Sequence, residues 1–154
     1  MKTHKSKEVK INGSKLKIAI VLPYFNENIG LELLKNVKAE LLKNQVKEKN
    51  ITLIRVAGAL ELPFACQKVI KKKKPHAVIA LGVVIRGETT HYDLVTQTTH
   101  QGVMQVQLEE KTPIIFGILA CENLKQAQNR ASEKGLNKGK ETAQSALIQA
   151  TLLT

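Results

Sequence analysis

The most constraining feature of the sequence is an uninterrupted run of nine apolar residues, Ala77 to Ile85, which ends abruptly at Arg86 and Gly87. A helix that spans a bilayer needs about 20 apolar residues, so this run is too short to cross a membrane. It has the length and composition of a strand buried on both faces of a parallel sheet. The polar residues that follow begin a helical pattern. Ligands of open α/β sheets bind where strands end and helices begin, so this junction predicts a ligand site.

Three further apolar runs alternate with segments of helical periodicity. We predict strands at residues 16–22, 51–57, 77–85 and 113–119. Helices are predicted at residues 29–44, from an entry within 58–63 to about 73, from about 90 to 109, and in two pieces within 122–154. Strands that alternate with helices indicate an α/β fold with a four-stranded parallel sheet and helices on both faces. Asn26 or Asn28 is expected to cap the first helix, and the third helix is expected to contact the core through Tyr92, Val95, Val103 and Val106.

Composition and length indicate one globular unit. Hydrophobic residues make up 43% of the 154-residue chain and charged residues 24%, which is typical of a folded domain. We expect a single domain over residues 16–154, preceded by an N-terminal arm, residues 1–15, that is either flexible or an additional edge strand. The basic N-terminus has no apolar signal segment. Cys66 and Cys121 are far apart without metal-ligand spacing, so we expect a cytoplasmic protein with reduced cysteines and no metal.

The chain is strongly basic, with a formal net charge of +11. Such a surplus suits nucleic acids or anionic surfaces as partners. The lysines, however, are scattered along the sequence except in the N-terminal arm and in the run Lys71–Lys74, which is expected to complement the dipole at a helix C-terminus. Aromatic residues amount to only 3%, and no stacking motif is present. We therefore expect neither a nucleic-acid nor a membrane partner.

Residues that core packing does not require follow three of the predicted strands. Phe25 follows the first, Glu61 the second and His91 the third. The carboxyl ends of parallel strands lie at one edge of the sheet, so these side chains should converge on a site for a flat polar ligand with a phosphate. Each residue also has an alternative interpretation when it is taken alone. Phe25 could pack over the end of the sheet, Glu61 could be a first-turn carboxylate favoured by the helix dipole, and His91 could be an ordinary surface histidine. Arg86 is expected to brace its loop through backbone carbonyl groups.

Taken in order, these motifs resemble the lumazine synthase family from about residue 17 to residue 153. The motifs are FNE at 25–27, GALELP at 58–63, GVVIRGETTH at 82–91, FG at 116–117, RA at 130–131 and NKG at 137–139. The resemblance implies a three-layer, flavodoxin-like sandwich. It also implies condensation of 5-amino-6-(D-ribitylamino)uracil with 3,4-dihydroxy-2-butanone 4-phosphate, with release of phosphate and water. The product is 6,7-dimethyl-8-ribityllumazine, and no cofactor is needed.

The resemblance also implies a role for individual residues. His91 is the expected proton donor, oriented by Glu141, and the phosphate is expected to meet the backbone N–H groups of Glu88 and Thr89 and the side chain of Arg130. The pyrimidine and ribityl groups are expected to contact Phe25, Ala59, Leu60, Glu61, Val83, Val84, Ile85 and Phe116. Phe116 and Arg130 are expected to come from the neighbouring subunit.

Family members form pentamers, and many assemble sixty subunits into an icosahedral shell, with each active site between adjacent subunits. Riboflavin synthase is a candidate partner. Two departures stand out: Leu60 replaces a common Phe, and Ser132-Glu133 replaces Gly-Thr. Three other functions remain open from the sequence: a non-catalytic flavodoxin-like module that binds flavin or a phosphorylated sugar, a riboflavin synthase, and a basic nucleic-acid-binding protein.

Overall fold

A computed structural model describes residues 8–152. The strands in this range are β1 (Ile18–Pro23), β2 (Ile51–Val56), β3 (Ala77–Ile85) and β4 (Ile114–Cys121). The α-helices are α1 (Glu27–Lys43), α2 (Leu62–Lys73), α3 (His91–Glu109), α4 (Leu124–Ala131) and α5 (Lys138–Ala150). Short 3-10 turns, Glu48–Asn50 and Ala59–Glu61, precede β2 and α2.

The four strands form one all-parallel sheet in the order β2-β1-β3-β4. The predicted α/β fold with a four-stranded parallel sheet is confirmed, and the strand order is that of a flavodoxin-like sandwich. The chain moves outward from β1 to β2 on one side and to β3 and β4 on the other. The topological switch point therefore lies between the carboxyl ends of β1 and β3, where such sheets bind their ligands.

Alternating residues of the central strands supply two separate cores. Ile20 of β1 and Ile79 of β3 are fully buried beneath α1, α4 and α5. The next residues along the same strands, Val21 and Ala80, are buried on the opposite face beneath α2 and α3. This period of two explains why β1 and β3 are apolar throughout. Packing on both faces fixes the ends of β1 and β3 at the switch point.

The described part of the N-terminal arm, residues 8–15, contains no strand. It lies instead across α1 and α5, where Val9 N donates to Gln144 Oε1 at 3.3 Å and Ile11 N donates to Asn44 Oδ1 at 3.2 Å. Glu8 forms ion pairs with Lys140 at 2.8 Å and Lys43 at 3.1 Å, which lower the pKa of its carboxyl group to about 2. The alternative of an added edge strand is therefore not realised in residues 8–15, and residues 1–7 lie outside the described range.

Candidate active site

A crevice of about 340 Å³ opens at the switch point. This volume is at the lower end of the range for small-molecule sites. Its walls come from the ends of β1 and β3, from the loops after β1, β2 and β3, and from the first turns of α3. The lining residues are Pro23, Phe25, Gly58, Ala59, Leu60, Glu61, Val83, Val84, Ile85, Gly87, Thr89, His91, Tyr92 and Val95. The three loops predicted to converge therefore do so.

The loop after β1 is held to the floor of the crevice by Asn26. This residue adopts the left-handed conformation, with φ of 56°, and its Nδ2 donates to the carbonyl oxygen of Val83 at 2.8 Å. Although Asn26 occupies the N-cap position of α1, its side chain makes no capping hydrogen bond, so the predicted capping role is wrong. Asn28 lies inside the helix. The tether leaves the adjacent Phe25 side chain 71% exposed at the rim, unusual for a large aromatic residue.

The loop after β2 supplies a second wall. Its 3-10 turn carries Ala59, Leu60 and Glu61, and Glu61 N donates to Gly58 O at 3.2 Å. Leu60 is 47% exposed, so its side chain is available to a ligand. Glu61 immediately precedes α2 and makes no capping hydrogen bond there. The helix-dipole interpretation of Glu61 rests on its position alone. Its carboxylate has no hydrogen-bond partner or ion pair within residues 8–152, so it can accept hydrogen bonds from the hydroxyl groups of a ligand.

The loop after β3 presents unpaired donors at the start of α3. His91 is the first residue of α3 and is exposed, and its backbone N–H donates to Thr89 Oγ1 at 3.2 Å. The backbone N–H groups of Glu88 and Thr89 have no partner among the described residues. Unpaired N–H groups beside a helix N-terminus attract anions. Thr89 and His91 line the crevice, whereas the side chain of Glu88 is exposed outside it.

Arg86 braces this loop through carboxylates, contrary to the predicted backbone carbonyl groups. Its Nη1 and Nη2 donate to Asp93 Oδ2 and Oδ1 at 3.0 and 3.2 Å, and its Nε donates to Glu122 Oε2 at 2.8 Å. Asp93, followed by Glu122, raises the pKa of the guanidinium. The guanidinium also lies 4.2 Å from the ring centre of Tyr92, a cation–π contact. Tyr92 is therefore a half-buried crevice residue and not the core contact that we expected, whereas Val95, Val103 and Val106 are buried as predicted.

Three predicted site residues lie away from the crevice of the same chain. The ring of Phe116 stacks on His100, with ring centres 5.5 Å apart. Arg130 lies in the last turn of α4 and is near enough to Cys121, at the end of β4, to oppose the rise in thiol pKa that burial causes. Glu141 pairs with Lys138 at 2.9 Å. Arg130 is thus near the carboxyl end of β4, on the helix α4 that packs over β3 and β4, and it does not line the crevice.

The comparison with known proteins identifies the family. The family model described as 6,7-dimethyl-8-ribityllumazine synthase matches residues 15–154. The chain belongs to this family. It is 44% identical to the 6,7-dimethyl-8-ribityllumazine synthase of Kosmotoga olearia over 140 residues, which are 91% of this chain and 90% of that protein. It is also 44% identical to the enzyme of that name from Pediococcus pentosaceus over 132 residues, covering 86% and 85% of the two chains.

Lumazine synthases are transferases that act in riboflavin biosynthesis, so family membership makes this chain an enzyme of that class. Among solved structures, a GDP-L-fucose synthetase from Naegleria fowleri, bound to NADP, is 14% identical to this chain. It covers 96% of this chain and 47% of its own, with a TM-score of 0.47. No helix within residues 8–152 is long and apolar enough to span a membrane. That same range contains no group of three His, Cys, Asp or Glu side chains placed to hold a metal ion.

Proposed function

We propose that this chain condenses 5-amino-6-(D-ribitylamino)uracil with 3,4-dihydroxy-2-butanone 4-phosphate to form 6,7-dimethyl-8-ribityllumazine, phosphate and water. The observation that carries the proposal is the crevice itself. An exposed aromatic ring, a carboxylate, a histidine and unpaired N–H donors line or border it, on three different loops. The family match explains why these groups occur together.

The pyrimidine is expected to lie between Phe25 and the end of β3. Its flat ring can stack on the exposed face of Phe25, and Val83, Val84 and Ile85 supply apolar contacts and backbone hydrogen-bonding groups. The ribityl chain then extends along Ala59, Leu60 and Glu61, where the free Glu61 carboxylate accepts hydrogen bonds from its hydroxyl groups. Phe is common at the position of Leu60, and the smaller leucine side chain leaves the crevice wider here than an aromatic ring would.

The phosphate is expected to bind at the start of α3. The backbone N–H groups of Glu88 and Thr89 can donate to its oxygens, and the helix dipole favours the dianion. A guanidinium is the usual additional partner of a phosphate. Arg130 does not line the crevice of its own chain. We therefore infer that Arg130 of the adjacent subunit completes the phosphate site, together with Phe116 on the pyrimidine side.

His91 is expected to move protons during the reaction. Condensation of an amine with a ketone, elimination of phosphate and ring closure each require proton transfers near neutral pH, to which imidazole is suited. His91 stands one turn or less from the proposed phosphate site, so its ring can reach the reacting carbons. Glu141, the residue expected to orient His91, pairs with Lys138 at 2.9 Å in this chain.

This arrangement requires an oligomer, and the resemblance implies a pentamer or a sixty-subunit shell. Large apolar side chains are exposed on the outer surfaces of α2 and α3, namely Phe64, Leu94, Met104 and Leu108. Several large apolar side chains exposed on two neighbouring helices are typical of a surface that contacts another protein. Riboflavin synthase, which would use the product, is a further candidate partner. The two free, buried cysteines suit a reducing compartment, and we infer a cytoplasmic location.

The direct test is to mix both substrates with the purified protein and follow the absorbance of the lumazine product. We expect product and stoichiometric phosphate, and neither when one substrate is omitted. A flavin-binding module without catalysis would bind ligand and form no product. Incubation with the lumazine alone tests the riboflavin synthase alternative, for which our proposal predicts no riboflavin. Absence of product with both substrates present would overturn the proposed function.

A further inference from the structure

The amino edge of the sheet, at the opposite end from the crevice, carries a large surplus of positive charge. The six-residue segments that precede the four strands contain nine lysines and three glutamates. Because the strands are parallel, these four segments meet at one edge. All nine lysines are exposed, and we call them the lysine edge: Lys15, Lys17, Lys47, Lys49, Lys71, Lys72, Lys73, Lys74 and Lys111.

The carboxyl edge shows the opposite balance. The six-residue segments that follow the strands contain two cations, Arg86 and Lys125, against four glutamates. The surplus is thus six positive charges at the amino edge and two negative charges at the carboxyl edge. More than half of the formal net charge of +11 is therefore collected on a surface that the proposed reaction does not use.

Few of these lysines are neutralised. Lys71 contacts Glu110 at 3.6 Å, and Glu48 pairs instead with Lys38 of α1 at 2.7 Å. The other eight lysines of the edge have no ion pair within residues 8–152. Like charges gathered without partners repel one another, and a bound anion relieves that repulsion.

Part of the lysine edge is concave. A cleft of about 200 Å³ lies between the starts of β1, β2 and β3, with Lys17, Lys49 and Lys73 among its lining residues. Asn50 and Thr52 also line it, and their side chains can donate hydrogen bonds to an anion. The cleft combines ammonium groups with neutral donors, which suits a phosphate group.

We propose that the lysine edge binds the phosphate backbone of a nucleic acid. Strands lie about 4.8 Å apart, so four strands present an edge about 14 Å long. A duplex carries one phosphate charge per about 1.7 Å of axis, hence about eight charges over that length. About half of these phosphates face one side of the duplex, so the nine lysines, even less the three glutamates, are sufficient to neutralise them. The four segments contain no Phe, Tyr or Trp, so bases cannot stack there and binding is independent of base sequence.

The grouping of these lysines is visible only in the folded chain. The expectation of no nucleic-acid partner rested on lysines scattered along the chain. The parallel topology brings together segments that begin at residues 12, 45, 71 and 108. The scarcity of aromatic residues remains, and it limits the interaction to contacts with the backbone and sugar.

The test is the salt dependence of binding to a fluorescently labelled 20-base-pair DNA duplex, measured with the full-length protein. If about five phosphates are neutralised, log K falls against log salt with a slope of about −4.5, and a duplex of scrambled sequence binds equally. The triple variant Lys17→Gln/Lys49→Gln/Lys73→Gln is expected to reduce the magnitude of the slope by about 3, roughly one unit for each lysine.

The matched control is Lys10→Gln/Lys35→Gln/Lys125→Gln, which removes the same charge from exposed positions outside the lysine edge. We expect it to change the slope by less than about one unit. Circular dichroism establishes that both variants fold. Two results would overturn the proposal: no binding by the unaltered protein at about 50 mM salt, or equal weakening in both variants, which would indicate net charge and not a defined surface. Neither result bears on lumazine synthesis.

Discussion

Replacing Asn26 tests how the crevice is built, because this residue joins the loop that carries Phe25 to the end of β3. Two structural terms can be separated. The hydrogen bond from Asn26 Nδ2 to Val83 O, at 2.8 Å and partly buried, contributes about 1 kcal/mol to the free energy of unfolding. The left-handed conformation, with φ of 56°, adds a conformational cost of about 1 to 2 kcal/mol for a residue such as alanine.

Asn26→Gly removes the hydrogen bond but tolerates the backbone conformation. We expect it to lower the free energy of unfolding by about 1 to 2 kcal/mol, including the greater entropy of glycine in the unfolded chain. Asn26→Ala loses the bond and also strains the backbone, so we expect a loss of about 2 to 3 kcal/mol. Either protein should remain folded, since domains are stable by about 5 to 15 kcal/mol.

The assay combines denaturant unfolding at a fixed protomer concentration with steady-state kinetics. Both variants lose the side-chain tether of the Phe25 loop to β3 and keep only backbone hydrogen bonds to the loop after β2, such as that from Phe25 N to Ala57 O at 3.2 Å. We therefore expect KM for the pyrimidine substrate to rise about tenfold, while KM for the phosphate substrate changes little. Equal stability of the glycine and alanine variants would refute the argument from backbone conformation. Wild-type stability and kinetics in Asn26→Gly would refute the role of the tether.

Three other predictions concern single side chains. His91→Ala should lower kcat by about 10²-fold or less, because substrate positioning survives, and a larger loss in single-turnover measurements would contradict this. Arg130→Ala should raise KM for the phosphate substrate about 10- to 100-fold while leaving pyrimidine binding intact in equilibrium titrations, and normal phosphate-substrate affinity would exclude its role. Burial raises the pKa of the Cys66 thiol to about 12, above its ordinary 9.0, so Cys66 should resist thiol reagents at pH 8 until the protein unfolds. Because the folded protein keeps this thiol protonated to a higher pH than the unfolded chain does, its contribution to the free energy of unfolding is fully present below pH 9 and is lost as the pH rises towards 12. In Cys66→Ala the free energy of unfolding should fall less over the same pH range.

Much of the fold follows from local pattern. The run from Ala77 to Ile85 predicts β3 with its observed limits because a strand buried on both faces leaves no polar position within it. The prediction for β4 ended two residues early, at 119, although Ala120 and Cys121 continue the apolar run as far as the polar residue Glu122. Pro23 was expected to stop β1, yet it is the last residue of that strand. Proline is tolerated at such a terminal position because the missing N–H is not required there.

The site is only partly predictable because several of its contacts join distant segments. The carboxylates that hold Arg86 belong to α3 and to the residue after β4, and nothing near Arg86 in the sequence identifies Glu122. Asparagine is a preferred N-cap residue, which is why the sequence predicted a cap at Asn26. Its left-handed backbone instead directs the side-chain amide to the carbonyl oxygen of Val83 in β3. Phe116 and Arg130 are further removed, because their proposed partners lie in another chain. Only the ordered set of motifs, through the family resemblance, connects them to the crevice.

The central claim is that each active site combines the crevice of one chain with Arg130 of the next, and mixed oligomers test it most directly. His91→Ala chains, which are expected to be slow in kcat, and Arg130→Ala chains, which are expected to bind the phosphate substrate weakly, are unfolded and refolded together in equal amounts. The mixture and each separate variant are assayed at a phosphate-substrate concentration well below the KM of Arg130→Ala. In a ring with one site between each pair of neighbours, about one quarter of the sites receive both intact residues by chance. We therefore predict recovery of about 25% of wild-type activity in the mixture. Activity that stays at the average of the two separate variants would contradict a site shared between subunits.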